Sequence, residues 1–194
     1  MRRLIVKLLS YIKFYLLRKK AIFRGKNYSF IKRSSISLRV GARREQIILE
    51  DNVNLYGKLI LHGQVGTIRL GKYVHIGDST QIQCVNAIEI GDYTQVGEYV
   101  VITDNNTHPT DPYFRKEMSQ IPSGHNMRSY IHSENSPVKI GANVWIGSYA
   151  RVCKGVTIGD NSIVAANAIV TKDVPENCIV AGNPARIVKV DYYL

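Results

Sequence analysis

An all-β solenoid of stacked triangular coils is the fold class this chain predicts, and three features of its aliphatic spacing predict it. From Ile140 onward the aliphatics fall at Ile140, Ile146, Val152, Ile158, Val164 and Val170 without a slip. Small residues follow each by one: Gly141, Gly147, Cys153, Gly159, Ala165 and Thr171. Four residues after each comes another compact or β-branched side chain: Val144, Ala150, Val156, Ser162, Ala168 and Val174. A period of six fits neither a helix nor a simple alternating strand, and it is the mark of a parallel solenoid in which each hexapeptide is one short strand and a corner.

Upstream, Leu49, Leu55 and Leu61 are six apart, as are Leu70, Ile76 and Ile82, and Ile90, Val96 and Ile102. Longer steps separate these triplets, so every insertion falls after a third repeat and should leave the column from one shared corner. About five coils run from Leu49 to about Thr171, a column of roughly 20–25 Å at the usual strand spacing. Inward Ile, Leu and Val stack coil on coil, and Gly, Asn and Asp allow the tight corners. Each coil buries its apolar face only against its neighbours, so the ends need caps.

The chain divides into a basic amphipathic arm at 1–44, the solenoid at 45–175 with a protruding loop at 103–137, and a C-terminal cap segment at 176–194. Net charge is +11 over 194 residues. Residues 1–44 hold fourteen Lys or Arg and no Asp or Glu, whereas the rest holds twelve basic and fifteen acidic side chains. The basicity belongs to the arm, and a nucleic-acid partner is not expected. Residues 2–20 read as a helix with Leu4, Ile5, Leu8, Leu9, Tyr11, Ile12, Tyr15 and Leu16 on one broad face. Arg2, Arg3, Lys7, Lys13 and Arg18 lie opposite, with Val6, Phe14 and Leu17 interrupting the polar side. It is too charged to span a bilayer and lacks a small-residue cleavage site. Binding in the plane of an anionic membrane, or packing on the solenoid or a neighbouring subunit, are its two readings. Three widely spaced cysteines, Cys84, Cys153 and Cys178, imply a reduced, cytoplasmic setting without a zinc cluster.

The interruption from Thr103 to Pro137 is too long for a passive connection. It carries His108, His125 and His132 together with Asp104, Asn105, Asp111, Tyr113, Arg115 and Glu134. His62 and His75 lie on the coils, where outward-facing positions are expected.

Solenoid, loop and tail together resemble the hexapeptide-repeat acyltransferases. His108-Pro109 followed by Arg115-Lys116 is similar to the maltose and galactoside O-acetyltransferase pattern. Glu134-Asn135-Ser136-Pro137-Val138-Lys139-Ile140-Gly141 and Val144-Trp145-Ile146-Gly147 resemble surface-polysaccharide O-acetyltransferases. Thr171-Lys172-Asp173-Val174-Pro175, then Ala181-Gly182-Asn183-Pro184-Ala185-Arg186, are typical of both. The resemblance implies a left-handed parallel β-helix, a homotrimer, acetyl-CoA as acyl donor, a sugar or glycan acceptor and His108 as general base, with no metal. It places Asp104, Asn105, Asp111, Tyr113 and Arg115 beside the acceptor. Trp145, Gly147, Ser148, Ala166, Thr171, Lys172, Arg186 and Lys189 fall along the coenzyme, with Arg186 and Lys189 one turn apart if a short C-terminal helix covers 185–190. The basic arm replaces the short acidic N-terminal helices of the maltose type, and the loop is longer, which points to a different or larger acceptor. Two alternatives share this solenoid. One is an N-acetyltransferase for an amino nucleotide-sugar. The other is a zinc lyase of the γ-carbonic-anhydrase type, which needs three imidazoles where His75 and His108 supply two and Tyr113 replaces the third.

Overall fold

The computed structural model describes residues 2–193, with side chains from Leu8 onward except Leu9. Three parallel sheets form the faces of a triangular prism. The first face stacks Ile22–Phe23, Ile47–Leu49, Thr67–Leu70, Ala87–Ile90, Val138–Ile140 and Thr157–Ile158. The second stacks Ser29–Phe30, Asn54–Leu55, His75–Ile76, Gln95–Val96, Trp145–Ile146, Ile163–Val164 and Cys178–Gly182, with Ala185–Val190 antiparallel at the end. The third runs from Ser35–Arg39 through Lys58–His62, Gln81–Cys84, Val101–Thr103 and Arg151–Val152 to Ile169–Val170.

The six-residue phase is the core. Leu49, Leu70, Ile90, Ile140 and Ile158 stand in register on the first face. Leu55, Ile76, Val96, Ile146, Val164 and Val180 do so on the second. All are sealed from solvent, each Leu or Ile contributing about 1.5–3 kcal/mol of burial. The slots four residues on are equally buried, and where they are polar a carbonyl one coil away accepts their hydroxyl. Thr80 Oγ1 donates to Gly97 O at 2.7 Å, Thr94 Oγ1 to Gly141 O at 2.8 Å, and Ser162 Oγ to Pro175 O at 2.7 Å.

Corners are set by residues in the left-handed region. Asn27, Asn52, Tyr73, Tyr93, Asn143, Asn161 and Asn177 occupy it between the first and second faces; Ser79, Tyr99, Tyr149 and Asn167 do so between the second and third. Asn tolerates this conformation because its short polar side chain bonds locally, here in a ladder linking Asn143 to Asn161 at 3.0 Å and Asn161 to Asn177 at 3.1 Å. Tyrosine carries more strain there, and stacking offsets it: Tyr73 lies on Tyr93 with centroids 5.3 Å apart, Tyr99 on Tyr149 at 4.9 Å. Gly147 opens a turn where a Cβ would lie 2.5 Å from Ala166 N, so only glycine lets the coils close up.

Three details depart from expectation. The column begins with Ile22, not Leu49, so six complete coils precede the last partial one and residues 22–39, read as arm, are its first rung. Phe23 and Phe30, which pair with Leu49 and Leu55, are seven residues apart, and that slip breaks the hexapeptide phase where the column begins. On the third face Leu59, not Leu61, pairs with Ile82, while Leu61 pairs with Cys84. The Tyr56-Gly57 turn is two residues shorter than its neighbours, and because strand side chains alternate with period two, both leucines still face inward. The segment 185–190 is a strand, not a helix. Ile187, Val188 and Val190 are β-branched, Asn183-Pro184 makes a turn, and the second face offers an open edge at Cys178–Gly182.

The amphipathic segment is a helix, α1 (Arg2–Leu17), capping the column's first coil. Phe14 packs in an aromatic cluster with Phe23, Tyr28 and Phe30, and Leu17 is buried. Ser10 Oγ accepts from Phe30 N at 3.1 Å, and Lys13 and Lys20 donate to the carbonyls of Lys32 and Ile36, each at 3.0 Å. Among the described residues no helix is long and apolar enough to cross a membrane.

Candidate active site

The insertions do share one corner. Residues 63–66, 85–86 and 104–137 all leave a third-face strand and return to the first face. The long one is folded: α2 (Pro112–Gln120) is followed by turns of 3-10 helix at Asn126–Arg128 and Tyr130–His132. Asp111 caps α2, accepting from Tyr113 N at 2.8 Å and Phe114 N at 3.2 Å. Met118, Ser129 and Ser133 are buried, so the loop has a small core of its own.

His108 stands exposed at the start of this excursion, and the backbone on both sides of it is held. Glu134 is the clamp. Its carboxylate accepts from Asn106 Nδ2 at 3.0 Å on one side and from the hydroxyl and the amide of Thr110 on the other. Asn106 N also donates to Glu134 O at 3.0 Å. These donors, the Thr110 hydroxyl first, hold the Glu134 carboxyl down to about 2. Arg115 reaches back from α2 to the carbonyls of Pro109 and Thr110. The His108 ring meets the edge of Tyr130, centroids 6.5 Å apart.

Behind Tyr130 lies His62, which is buried rather than outward-facing. It stacks on the Tyr130 ring at 4.6 Å, and its Nδ1 is 3.2 Å from Ser129 Oγ. Its Nε2 has no hydrogen-bond partner. Burial, aided by the Arg39 charge, pushes its pKa down to about 4, so the ring is neutral at pH 7. Neither role is marked in the residue pattern, beyond the place of Glu134 in the stretch that re-enters the column.

Asp104 and Asn105 are corrected from acceptor contacts to structural groups, because both are buried. Asp104 accepts from Val85 N at 2.9 Å, Asn86 N at 2.7 Å and Cys84 Sγ at 3.2 Å, fastening the loop's root to the coil below. Burial first, and the Asp104 charge second, push the Cys84 thiol up and out of reactive range. Asn105 Nδ2 donates to Asp104, and its Oδ1 receives Thr107 N at 2.9 Å. Asp111, Tyr113 and Arg115 stay exposed near His108, Tyr113 most of all. His125 caps a turn through Nδ1, and His132 packs on Phe114. Neither joins His108.

The coenzyme-side residues fall in two groups. Ser148 and Ala166 occupy stacked turns of the corner between the second and third faces, with Trp145 exposed on the second face beside them. Gly147 is buried there, so its part is close packing rather than contact. Thr171 and Lys172 lie on the loop's own corner. Lys172 and Arg186 line one groove of about 300 Å³ with Asp173 and Val180. Arg186 pairs with Ala181 and Lys189 with Ile179, across a bulge. Ala181 and Ile179 share a face, so the bulge brings both cations to one side despite their odd spacing. Within one chain Ser148 and Ala166 are at a different corner from His108. Among the described residues no group of three or more His, Cys, Asp or Glu gathers.

The repeats that build these corners have a known form. Residues 137–172 match the family Bacterial transferase hexapeptide (six repeats). The hexapeptide column has the left-handed parallel β-helix fold of acyltransferases. It is 38% identical over 120 residues to the galactoside O-acetyltransferase of Escherichia coli (strain K12), covering 61% of this chain and 55% of that protein. It is 34% identical over 124 residues to the putative lipopolysaccharide biosynthesis O-acetyl transferase WbbJ of the same strain, covering 64% of this chain and 61% of that one. The chain therefore spans little more than half the length of these curated relatives. Among solved structures, the N-acyltransferase AntD from Bacillus cereus, in complex with dTDP and 3-hydroxybutyryl-CoA, superimposes with a TM-score of 0.66 at 21% identity, over 92% of this chain and 87% of that one.

Proposed function

We propose that this protein transfers an acetyl group from acetyl-CoA to a sugar hydroxyl of a glycan or glycolipid precursor, with His108 as general base. The observation that carries the reading is a single exposed imidazole on a clamped segment at the root of the long loop of a hexapeptide column, in a chain similar to sugar O-acetyltransferases. An imidazole nitrogen of His108 takes the hydroxyl proton as the sugar oxygen attacks the thioester carbonyl carbon. The tetrahedral oxyanion collapses, the C–S bond breaks, and the proton passes to the departing thiolate. Such proton transfer is worth about 10²–10⁴-fold, and imidazole is the side chain most often used for it. The thioester is already activated, so no metal and no acyl-enzyme is invoked.

The residues present fit the donor. Lys172 and Arg186 share one groove and Lys189 joins Arg186 on the strand's outer side, a cationic setting for the adenosine phosphates. Ser148, Ala166 and Trp145 line a corner where small side chains leave room for a pantetheine arm against stacked strands. Because that corner is not the one bearing His108, the reading requires a homotrimer, base from one subunit and coenzyme groups from the next. Asp111, Tyr113 and Arg115 remain the acceptor-side candidates. The setting is cytoplasmic, at the inner membrane face.

Incubation with acetyl-CoA and a panel of glycans and amino nucleotide-sugars, read by free-thiol release, tests the reaction. Turnover with hydroxyl acceptors alone is the expected result. Turnover only with amines would make it an N-acetyltransferase, and none with either would remove the acetyltransferase reading.

A further inference from the structure

Helix α1 docks on the column with the side that its sequence marks as the weaker apolar one. Phe14, Leu17 and Ser10 face the first coil. The broad apolar face points away: Leu8 is 60% exposed, Tyr11 70%, Ile12 49%, Tyr15 52% and Leu16 57%. At 100° per residue these five fall within one arc of about 140°. An amphipathic helix that only capped the column would bury that arc and show its charges.

Charge surrounds the exposed arc. Arg18, Lys19, Lys20, Arg24, Lys26, Lys32 and Arg33 are exposed on the helix end and the first coil. Arg18 lies over the Tyr15 ring with its guanidinium carbon 4.2 Å from the centroid. Within 1–44 there is no acidic side chain to set against the fourteen basic ones. Arg24 and Arg33 each reach one carboxylate of a later coil, at 3.7 and 3.6 Å, and among the described residues no lysine of the segment has such an ion pair. Self-association of two copies through this face would set like charges against one another. A bilayer with anionic headgroups complements both parts at once: apolar side chains enter the headgroup–acyl boundary while cations meet the phosphates.

We propose that the Leu8, Tyr11, Ile12, Tyr15 and Leu16 face of α1 inserts in the plane of an anionic lipid surface, with the lysines and arginines of the first coil as its electrostatic collar. The column then stands end-on to the membrane, its first coil nearest the lipid. The inference is independent of the acyl-transfer reading, and His108→Ala should bind lipid like the wild type.

Co-sedimentation of the full-length protein with vesicles tests it, using phosphatidylcholine alone and phosphatidylcholine containing about one quarter phosphatidylglycerol. The wild type should bind the anionic vesicles at least about tenfold more tightly, and that advantage should shrink at high salt. Tyr11→Ser/Ile12→Ser/Leu16→Ser changes only exposed side chains. It should weaken anionic binding about tenfold or more while leaving thermal stability and oligomeric state unchanged. Lys19→Ser/Lys26→Ser/Lys32→Ser should remove the preference for anionic lipid. No vesicle binding by the wild type, or full binding by the serine triple variant, overturns the proposal. So does a smaller oligomer in that variant, which would make the face a subunit contact.

Discussion

Glu134 shows how one side chain can govern another without touching it. Its carboxylate joins Asn106 to Thr110 and so fixes the five-residue arch that carries His108. Glu134→Gln keeps the size but removes the charge, and kcat should fall roughly ten- to hundredfold with KM for acetyl-CoA unchanged, as expected when a reacting group is slightly misplaced. The linkage has a definite sign. A carboxyl held at about 2 in the fold, against an ordinary value of 4.5, stabilises fully above the ordinary value and loses that contribution as pH falls through about 2. The stability gap between wild type and Glu134→Gln should be constant above pH 4.5 and close in more acidic solution, measured by thermal melts. His62 behaves alike for the opposite chemical reason. Its depressed pKa means protonation favours the unfolded chain, so stability should decline as pH falls from 6.5 towards 4. His62→Phe, which keeps the ring on Tyr130, should flatten that decline; an unchanged pH profile would remove His62 as its source.

At the scale of elements, the hexapeptide phase was legible because each strand contributes one inward aliphatic to an unbroken stack. Gly147→Ala tests the closeness of that stack. With its Cβ 2.5 Å from a backbone nitrogen, the turn must shift, at a cost of roughly 1–3 kcal/mol that a melt will register; a neutral substitution would mean the corner yields freely. The first coil was not legible, because the inward Phe23 and Phe30 of its first two strands stand seven residues apart, off the six-residue step. Residues 185–190 were misread as helix because the spacing of Arg186 and Lys189 suits one turn, while the bulge that produces the same juxtaposition in a strand leaves no mark in composition. His108 was placed by its position after a third repeat. Its clamp was not, since Glu134 lies 26 residues away in sequence and only the folded loop brings them together. The resemblance places Asp104 and Asn105 beside the acceptor, yet the burial that assigns them to the loop's root is a tertiary fact.

For the whole molecule, the proposed reaction requires assembly, because within one chain His108 and the Ser148–Ala166 corner stand apart. Mixing His108→Ala subunits with Ala166→Trp subunits, which block that second corner, should restore measurable turnover in re-formed trimers although neither variant alone turns over appreciably. Absence of recovery in verified mixed trimers would place both groups on one chain. Whether the imidazole of His108 removes a proton during acyl transfer is decided by His108→Ala, followed by both calorimetry and turnover. Acetyl-CoA affinity should equal wild type and kcat should be lower by about 10²–10⁴-fold; wild-type kcat in the variant would mean that another group takes the proton.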